Sequence, residues 1–278
     1  MSAPNALAAG GAPATRPPEA PGRLVVAWQH PTERSIQPVG FLTKSDEVYT
    51  FGYIRNALTV PGFPGLLGFD DLYSTYESSE LFPLFEQRAM DPRRPDFHRY
   101  VDRLGLEGEP GPWEQIARSQ GHREGDTIQL FPEPNVDGDE VRCLFLVHGM
   151  RHVDKSPKII NGVEASATRE QIDAALERLE PGDELGIFPE PSNKKNPLAI
   201  VVTISPDQLI PVGWVPDLLV EDLQRLLGQA PVTVTAKHVN GTEAPWHLRL
   251  LARLHAAPAP GFRFFVSDRW EPLAAQAQ

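Results

Sequence analysis

The sequence predicts an α+β protein, with a small antiparallel sheet and helices in the N-terminal part and a partly open β-barrel with two helices after it. Two observations support this class. Short β-branched and aromatic runs alternate with Gly and Pro turns in both halves, as in antiparallel sheets. Capped stretches with apolar residues at helical spacing lie among these runs. The 278 residues are 41% hydrophobic and 23% charged, which suffices for one large core or two modest ones.

Five regions follow from composition. Residues 1–23 hold five prolines and seven alanines and predict a disordered tail. Residues 24–105 form a first domain and 140–257 a second. The segment 106–139 has two basic and eight acidic residues with frequent Gly and Pro, so it predicts an acidic linker. Residues 258–278 remain as a C-terminal extension.

The first domain begins with three predicted strands at 24–28, 38–43 and 48–54. Ser78 then predicts the N-cap of a helix that buries Leu81, Phe82, Leu84 and Phe85. A second helix is predicted over 95–104, with Pro95 at its first position, and a short helix over 113–118 in the linker.

The second domain has six predicted strands and two predicted helices. The strands are expected at 141–148, 184–188, 199–204, 209–215, 232–239 and 247–254. Thr168 and Gln171 form a capping box for the first helix, which ends at Pro181 and Gly182. Pro216 opens the second helix and Gly228 ends it.

Composition also excludes several classes of protein. A single cysteine, Cys143, allows neither an intramolecular disulfide nor a thiolate zinc site and is expected to be a buried thiol. The net charge of −11 argues against coating nucleic acid by bulk electrostatics, so any such contact must be local. No spanning apolar run or signal-peptide pattern is present, which predicts a cytoplasmic protein without membrane contact.

Catalytic motifs are absent from the sequence. There is no phosphate-binding Gly-x-x-x-x-Gly-Lys loop, no Gly-x-Gly-x-x-Gly, no His-Glu-x-x-His and no Gly-x-Ser-x-Gly. The eight histidines show no i, i+4 pair on a helix, and the Asp137-Gly138-Asp139 run is typical of a plain turn. We therefore predict a protein that is not an enzyme and holds no metal or cofactor.

Five short motifs in order across 142–255 resemble the HIRAN domain. They are Gly149-Met150-Arg151-His152, Gly182-Asp183-Glu184-Leu185, Pro189-Glu190-Pro191-Ser192-Asn193, Ala199-Ile200-Val201-Val202 and Val212-Gly213-Trp214-Val215-Pro216. This resemblance implies a small barrel-like module that captures the free 3′ end of single-stranded DNA with basic and aromatic side chains.

Residues 24–105 resemble, more distantly, the N-terminal subdomain of HipA-type toxin kinases. The motifs are Val39-Gly40-Phe41-Leu42, Tyr49-Thr50-Phe51-Gly52-Tyr53, Glu80-Leu81-Phe82-Pro83-Leu84-Phe85 and Arg103-Leu104-Gly105-Leu106. No segment of this sequence supplies the catalytic-loop or metal-binding Asp pattern of that class, so we expect no kinase here. The resemblance implies a bacterial DNA-maintenance, defence or toxin–antitoxin context, with a protein encoded nearby as a further partner.

The candidate DNA-binding residues lie on two loops. The HIRAN resemblance points to Arg151 and His152 on the first loop and to Lys195 and Asn196 on the second. Lys155 and Lys194 complete the basic clusters. An arginine can hold a phosphate with two parallel hydrogen bonds, and a histidine can stack on a base.

The match at these loops is incomplete. The helicase-type pocket has an aromatic at Lys195, an acid at Asn196 and a lysine at Asp217. Two alternatives therefore stay open: the loops are ordinary solvated surface, or the chain is a protein-interaction adaptor without direct DNA binding.

Overall fold

The computed structural model describes residues 21–46, 48–123 and 125–274. The predicted tail at 1–23 therefore lies almost wholly outside the described residues. Within them the chain is α+β, with two antiparallel sheets, a two-stranded hairpin and five α-helices, and neither sheet closes into a barrel. The predicted fold class is confirmed. None of the helices in this part of the chain has the length and apolar character needed to span a lipid bilayer.

The N-terminal sheet has five antiparallel strands in the order β4-β3-β2-β1-β5. They are β1 (Arg23–Gln29), β2 (Ile36–Ser45), β3 (Val48–Tyr53), β4 (Thr75–Ser78) and β5 (Ile128–Pro132). The first three match the predicted strands. The last lies in the predicted linker, where Leu130 pairs with Val26 of β1. Part of the predicted linker thus completes the N-terminal sheet, and Asn135–Asp137 pairs with a strand of the second sheet.

Three helices belong to this part of the chain: α1 (Pro83–Glu86), α2 (Phe97–Arg103) and α3 (Pro112–Ser119). The second and third agree with prediction. The helix predicted from Ser78 is wrong, because Ser78 ends β4 and α1 is one turn that begins at Pro83. Proline fits the first turn of a helix but not its interior, so a helix starting at Ser78 is interrupted there.

The second sheet has seven antiparallel strands in the order β12-β11-β10-β13-β14-β7-β6. They are β6 (Asn135–Asp137), β7 (Glu140–Leu146), β10 (Glu184–Pro189), β11 (Ile200–Thr203), β12 (Pro211–Trp214), β13 (Val232–Val239) and β14 (Leu250–Ala256). The hairpin pairs β8 (Lys158–Ile160) with β9 (Val163–Ala165). Helices α4 (Arg169–Leu176) and α5 (Asp217–Leu227) complete this part, and the predicted capping box of Thr168 and Gln171 is present.

One apolar core connects the two sheets. On β1, Leu24 and Val26 pack into a cluster of the N-terminal part that also takes in Leu273 of the C-terminal segment, whereas Val25 and Ala27 pack into a cluster that includes Phe145 of β7. Successive residues of a strand point to opposite faces. The strand β1 is therefore buried on both faces, and the N-terminal sheet shares its second face with the C-terminal half.

The C-terminal segment fills the space between the halves. Phe264 and Phe265 are buried, and Trp270 stacks on Phe41 of β2 with ring centroids 5.9 Å apart. The backbone N–H of Phe265 donates to a carboxylate oxygen of the buried Asp222 on α5, at 2.9 Å. The predicted extension at 258–278 thus supplies core side chains from its described residues.

Candidate nucleic-acid interface

The first candidate loop is a 3-10 helix at Met150–Lys155 that follows β7. Met150 and Val153 point into the core, so the intervening Arg151 and His152, and Lys155 after them, are exposed. The turn begins at Gly149, whose φ of +69° is readily accessible to glycine. A Cβ there would lie 2.6 Å from the Trp214 ring. Packing against Trp214 thus sets the direction of the basic loop.

The second candidate loop follows β10 and is held by side-chain hydrogen bonds. Asn193 donates its amide to Glu190 at 2.8 Å, and its Oδ1 accepts from the backbone N–H of Lys195 at 3.0 Å. The Glu190 carboxylate is only 4% exposed. These bonds close a tight turn and leave Lys194 and Lys195 in solvent.

Trp214 connects the two loops. Its backbone exchanges two 2.9 Å hydrogen bonds with His148, at the end of the strand region that leads into the first loop. Its Nε1 donates to Glu190 of the second loop at 2.7 Å. One indole side chain and its backbone therefore fix both basic loops to the same end of the sheet.

The loops come close enough for their charges to interact. Partial burial lowers the pKa of His152, and the positive charges of Lys155, Arg151 and Lys195 lower it further. Arg151 Nε donates to His152 Nε2 at 2.9 Å. The structure thus places Arg151, His152, Lys155 and Lys195 in one basic patch, which we call the loop patch, and Lys194 lies exposed on the same turn.

Asn196 has a role within the protein. Its Nδ2 donates to Asp217 Oδ1 at 2.8 Å, and its Oδ1 accepts from the backbone N–H of Leu198 at 3.0 Å. The amide thus ties the second loop to the first turn of α5. Asp217 is satisfied by this bond and by its position at a helix N-terminus, where a carboxylate is favoured.

Sequence reasoning missed Arg169, which supports the first loop. Its guanidinium donates to the carbonyls of Met150 and Arg151 at 3.2 and 3.1 Å and pairs with Asp154 at 2.8 Å. It also lies over the Trp246 ring, 4.2 Å from the centroid. Arg169 neutralises the acidic residue of the loop. No local pattern indicates this contact, because it joins residues far apart in sequence.

Lys158, another basic residue after the first loop, is a buried structural side chain. It is 3% exposed, its Nζ donates to Ser156 Oγ at 3.0 Å and it lies 5.1 Å from the Trp214 ring centroid. Burial lowers its pKa, although the charges of Glu190 and Asp154 oppose the shift. It stabilises the platform beneath the loop patch and does not reach solvent.

Three histidines lie next to the loop patch. His148 Nε2 lies 2.7 Å from Gln120 Oε1, and the rings of His122 and His247 are 4.3 Å apart. Burial lowers the pKa of His148 and of His247 to about 4 in each case, and the nearby His122 adds to both shifts. Over the described residues, no group of three or more His, Cys, Asp or Glu side chains is arranged to hold a metal ion.

Comparison with known proteins gives two distant structural neighbours. No protein-family model and no curated protein matches the chain. A protein from Lactobacillus plantarum is 17% identical, with 42% of this chain and 96% of that chain covered and a TM-score of 0.30. The HIRAN domain of human HLTF is 11% identical, with 42% and 72% covered and a TM-score of 0.25. The HipA-like resemblance has no counterpart among them. Similarities this low carry no argument about function, which therefore depends on the residues of this chain.

Proposed function

We propose that the protein binds single-stranded DNA, with a preference for a free 3′ end, through the loop patch. The observation that carries this proposal is the convergence on Trp214 of two exposed loops, which bear Arg151, His152, Lys155 and Lys195, in a chain whose net charge is −11. The HIRAN-like motifs of the sequence support the preference for DNA ends. The context we propose is bacterial DNA maintenance, defence or a toxin–antitoxin system.

The chemistry of the patch fits phosphate recognition. Arg151 is exposed, and its guanidinium presents several donors in a fixed plane that matches phosphate oxygens. Lys155 and Lys195 add point charges, and His152 presents a ring for stacking on a terminal base. We assign no catalytic step to these residues: they bind and orient an anion.

The decisive experiment compares Arg151→Ala with Arg178→Ala, a matched loss of one exposed arginine from another part of the surface. Labelled oligonucleotides with free and 3′-phosphorylated ends are titrated across a salt series. We expect Arg151→Ala to lose about 1–3 kcal/mol of binding free energy, and Arg178→Ala to bind like the wild type. About three neutralised phosphates at roughly 0.7 counterion each give a salt slope near −2.

Three results would contradict the proposal. Equal binding by Arg151→Ala and Arg178→Ala would remove the loop patch as the site. Equal affinity for free and blocked ends would remove the preference for 3′ ends. Absence of oligonucleotide binding at low salt, combined with a salt-insensitive complex with a neighbouring gene product, would favour the adaptor alternative.

A further inference from the structure

A second basic surface lies on the outer face of the seven-stranded sheet. Arg142 of β7 is opposite His255 of β14, and these two are flanked in register by Asn135 of β6 and Thr233 of β13. The alternate residues of these strands, such as Cys143 and Leu254, point into the core. Four neighbouring strands therefore present one polar row to solvent.

This face forms one wall of a groove with a volume of about 1570 Å³, whose other walls come from β1, β2 and the C-terminal segment. The basic lining residues are Arg23, Lys44, Arg142, Arg253, Arg263 and His255. Among the described residues, two carboxylates line it, Glu133 and Glu271. Even with His255 counted as neutral, five cations face two anions, the reverse of the whole chain, which has 26 basic and 37 acidic residues.

Both lining carboxylates are already paired with arginine. Glu133 accepts two hydrogen bonds from Arg23, and Glu271 pairs with Arg55 outside the groove. Two of the other cations pair with carboxylates that do not line the groove: Lys44 lies 3.7 Å from Glu114, and the exposed Arg142 pairs with Glu140 at the start of its strand. The Arg263 side chain is exposed at the opposite wall.

We propose that this basic groove is a second binding surface, which takes the phosphate backbone of single-stranded nucleic acid. The large aromatic side chains of its walls, such as Phe264 and Trp270, are buried and cannot stack on bases. The groove therefore offers charge and hydrogen-bond donors without base readout, which predicts sequence-independent and salt-sensitive binding. An extended polyanion suits an open groove better than a compact ligand does.

The groove is separate from the loop patch. Between them, the outer face of β7 is covered, because Leu146 packs there against Leu251 of β14 and against Leu104, the residue after α2. A strand bound in the groove therefore makes contacts additional to those at Arg151. This inference takes only the class of ligand, a nucleic acid, from the proposed function, because the residues of the groove differ from those of the loop patch.

The test uses the full chain and the double variant Arg142→Glu/Arg263→Glu. The matched control is Arg93→Glu/Arg178→Glu, which makes the same charge change at exposed arginines elsewhere. The probe is a fluorescent 30-nucleotide oligo-dT at low salt. We expect the groove variant to bind roughly tenfold more weakly than the control. Its salt slope should be smaller by about 1.4, because it lacks two phosphate contacts that are additional to the three or so at the loop patch. Crosslinking of a 4-thiothymidine oligonucleotide to wild-type protein should label peptides that contain Arg142 or Arg263, which keeps the test valid if the variant fails to fold.

The outcomes separate this inference from the proposed function. If only Arg151→Ala weakens oligonucleotide binding and no crosslink forms in the groove, the inference about the groove is wrong and the loop patch remains the binding site. If only the groove variant weakens oligonucleotide binding, the groove is supported as a binding surface and the proposed role of the loop patch is wrong. Poly-glutamate and unlabelled oligo-dT are compared as competitors at matched charge. If they displace the probe equally well, the groove binds acidic polypeptides and the inference is wrong.

Discussion

At the residue scale, Asn196 illustrates how a position implied by family resemblance acquires a different role. The resemblance points to DNA binding, whereas the structure uses both polar atoms of the amide inside the protein, toward Asp217 and Leu198. A buried or half-buried polar group that already has its partners offers little to a ligand. In the proposed function, the contribution of this loop to binding therefore depends on Lys194 and Lys195.

We expect Asn196→Asp to destabilise the second loop, because it places a carboxylate against Asp217 where an amide donated a hydrogen bond. The loss in the free energy of unfolding should be on the order of 1 kcal/mol or less, since the pair is near solvent and screened by salt. The exchange Asn196→Asp/Asp217→Asn should restore much of it. Denaturant titrations at low and high salt measure both effects. A single variant as stable as the wild type at low salt would show that this contact is unimportant.

At the scale of elements, the turn after α3 meets the end of β7 through histidines. His148 and His247 have pKa values of about 4, below the usual histidine value near 6.5, so the folded protein keeps both rings neutral. The unfolded chain binds protons at these positions below pH 6.5, whereas the folded protein does so only near pH 4. Stability is therefore fully present above pH 6.5 and is lost as the pH falls toward 4.

The expected loss is roughly 1.4 kcal/mol per pH unit for each of the two rings over that window. His148→Gln should remove the contribution of one ring and flatten the dependence, while His98→Gln, at an exposed position of α2, should leave it unchanged. The free energy of unfolding measured at intervals from pH 7 to pH 4 tests this. Parallel curves for the wild type and His148→Gln would contradict it.

The elements also show what sequence patterns can and cannot predict. The helix α4 was predictable because Thr168 and Gln171 form a local capping box, and α5 because Pro216 and Gly228 mark its ends. The place of β5 in the N-terminal sheet was not predicted, because it lies in an acidic, Gly-rich segment and its pairing with β1 joins residues about a hundred positions apart. Likewise, the loop patch was predictable as charge on two loops, but the indole of Trp214 that connects the loops was not.

At the scale of the whole molecule, the shared core decides whether the halves are independent. The sequence predicts 140–257 as a domain with its own boundaries. In the structure, the cluster that contains Phe145 of β7 also contains Phe41 of the N-terminal sheet and Phe264, Phe265 and Trp270 of the C-terminal segment. A fragment limited to 136–258 would expose the surface that these aromatic side chains cover.

We therefore expect the full chain to unfold in a single cooperative transition and the fragment 136–258 to lack one at the same temperature. Each buried aromatic side chain contributes about 1.5–3 kcal/mol through burial. The free energy of unfolding lost with four of them is thus comparable with the total stability of a typical domain, about 5–15 kcal/mol. Differential scanning calorimetry of the full chain and of 136–258 makes the comparison. If 136–258 melts cooperatively at the temperature of the full chain, the shared core contributes little and the halves are separate domains, because a fragment that loses these contacts can match the whole chain only if its own core suffices.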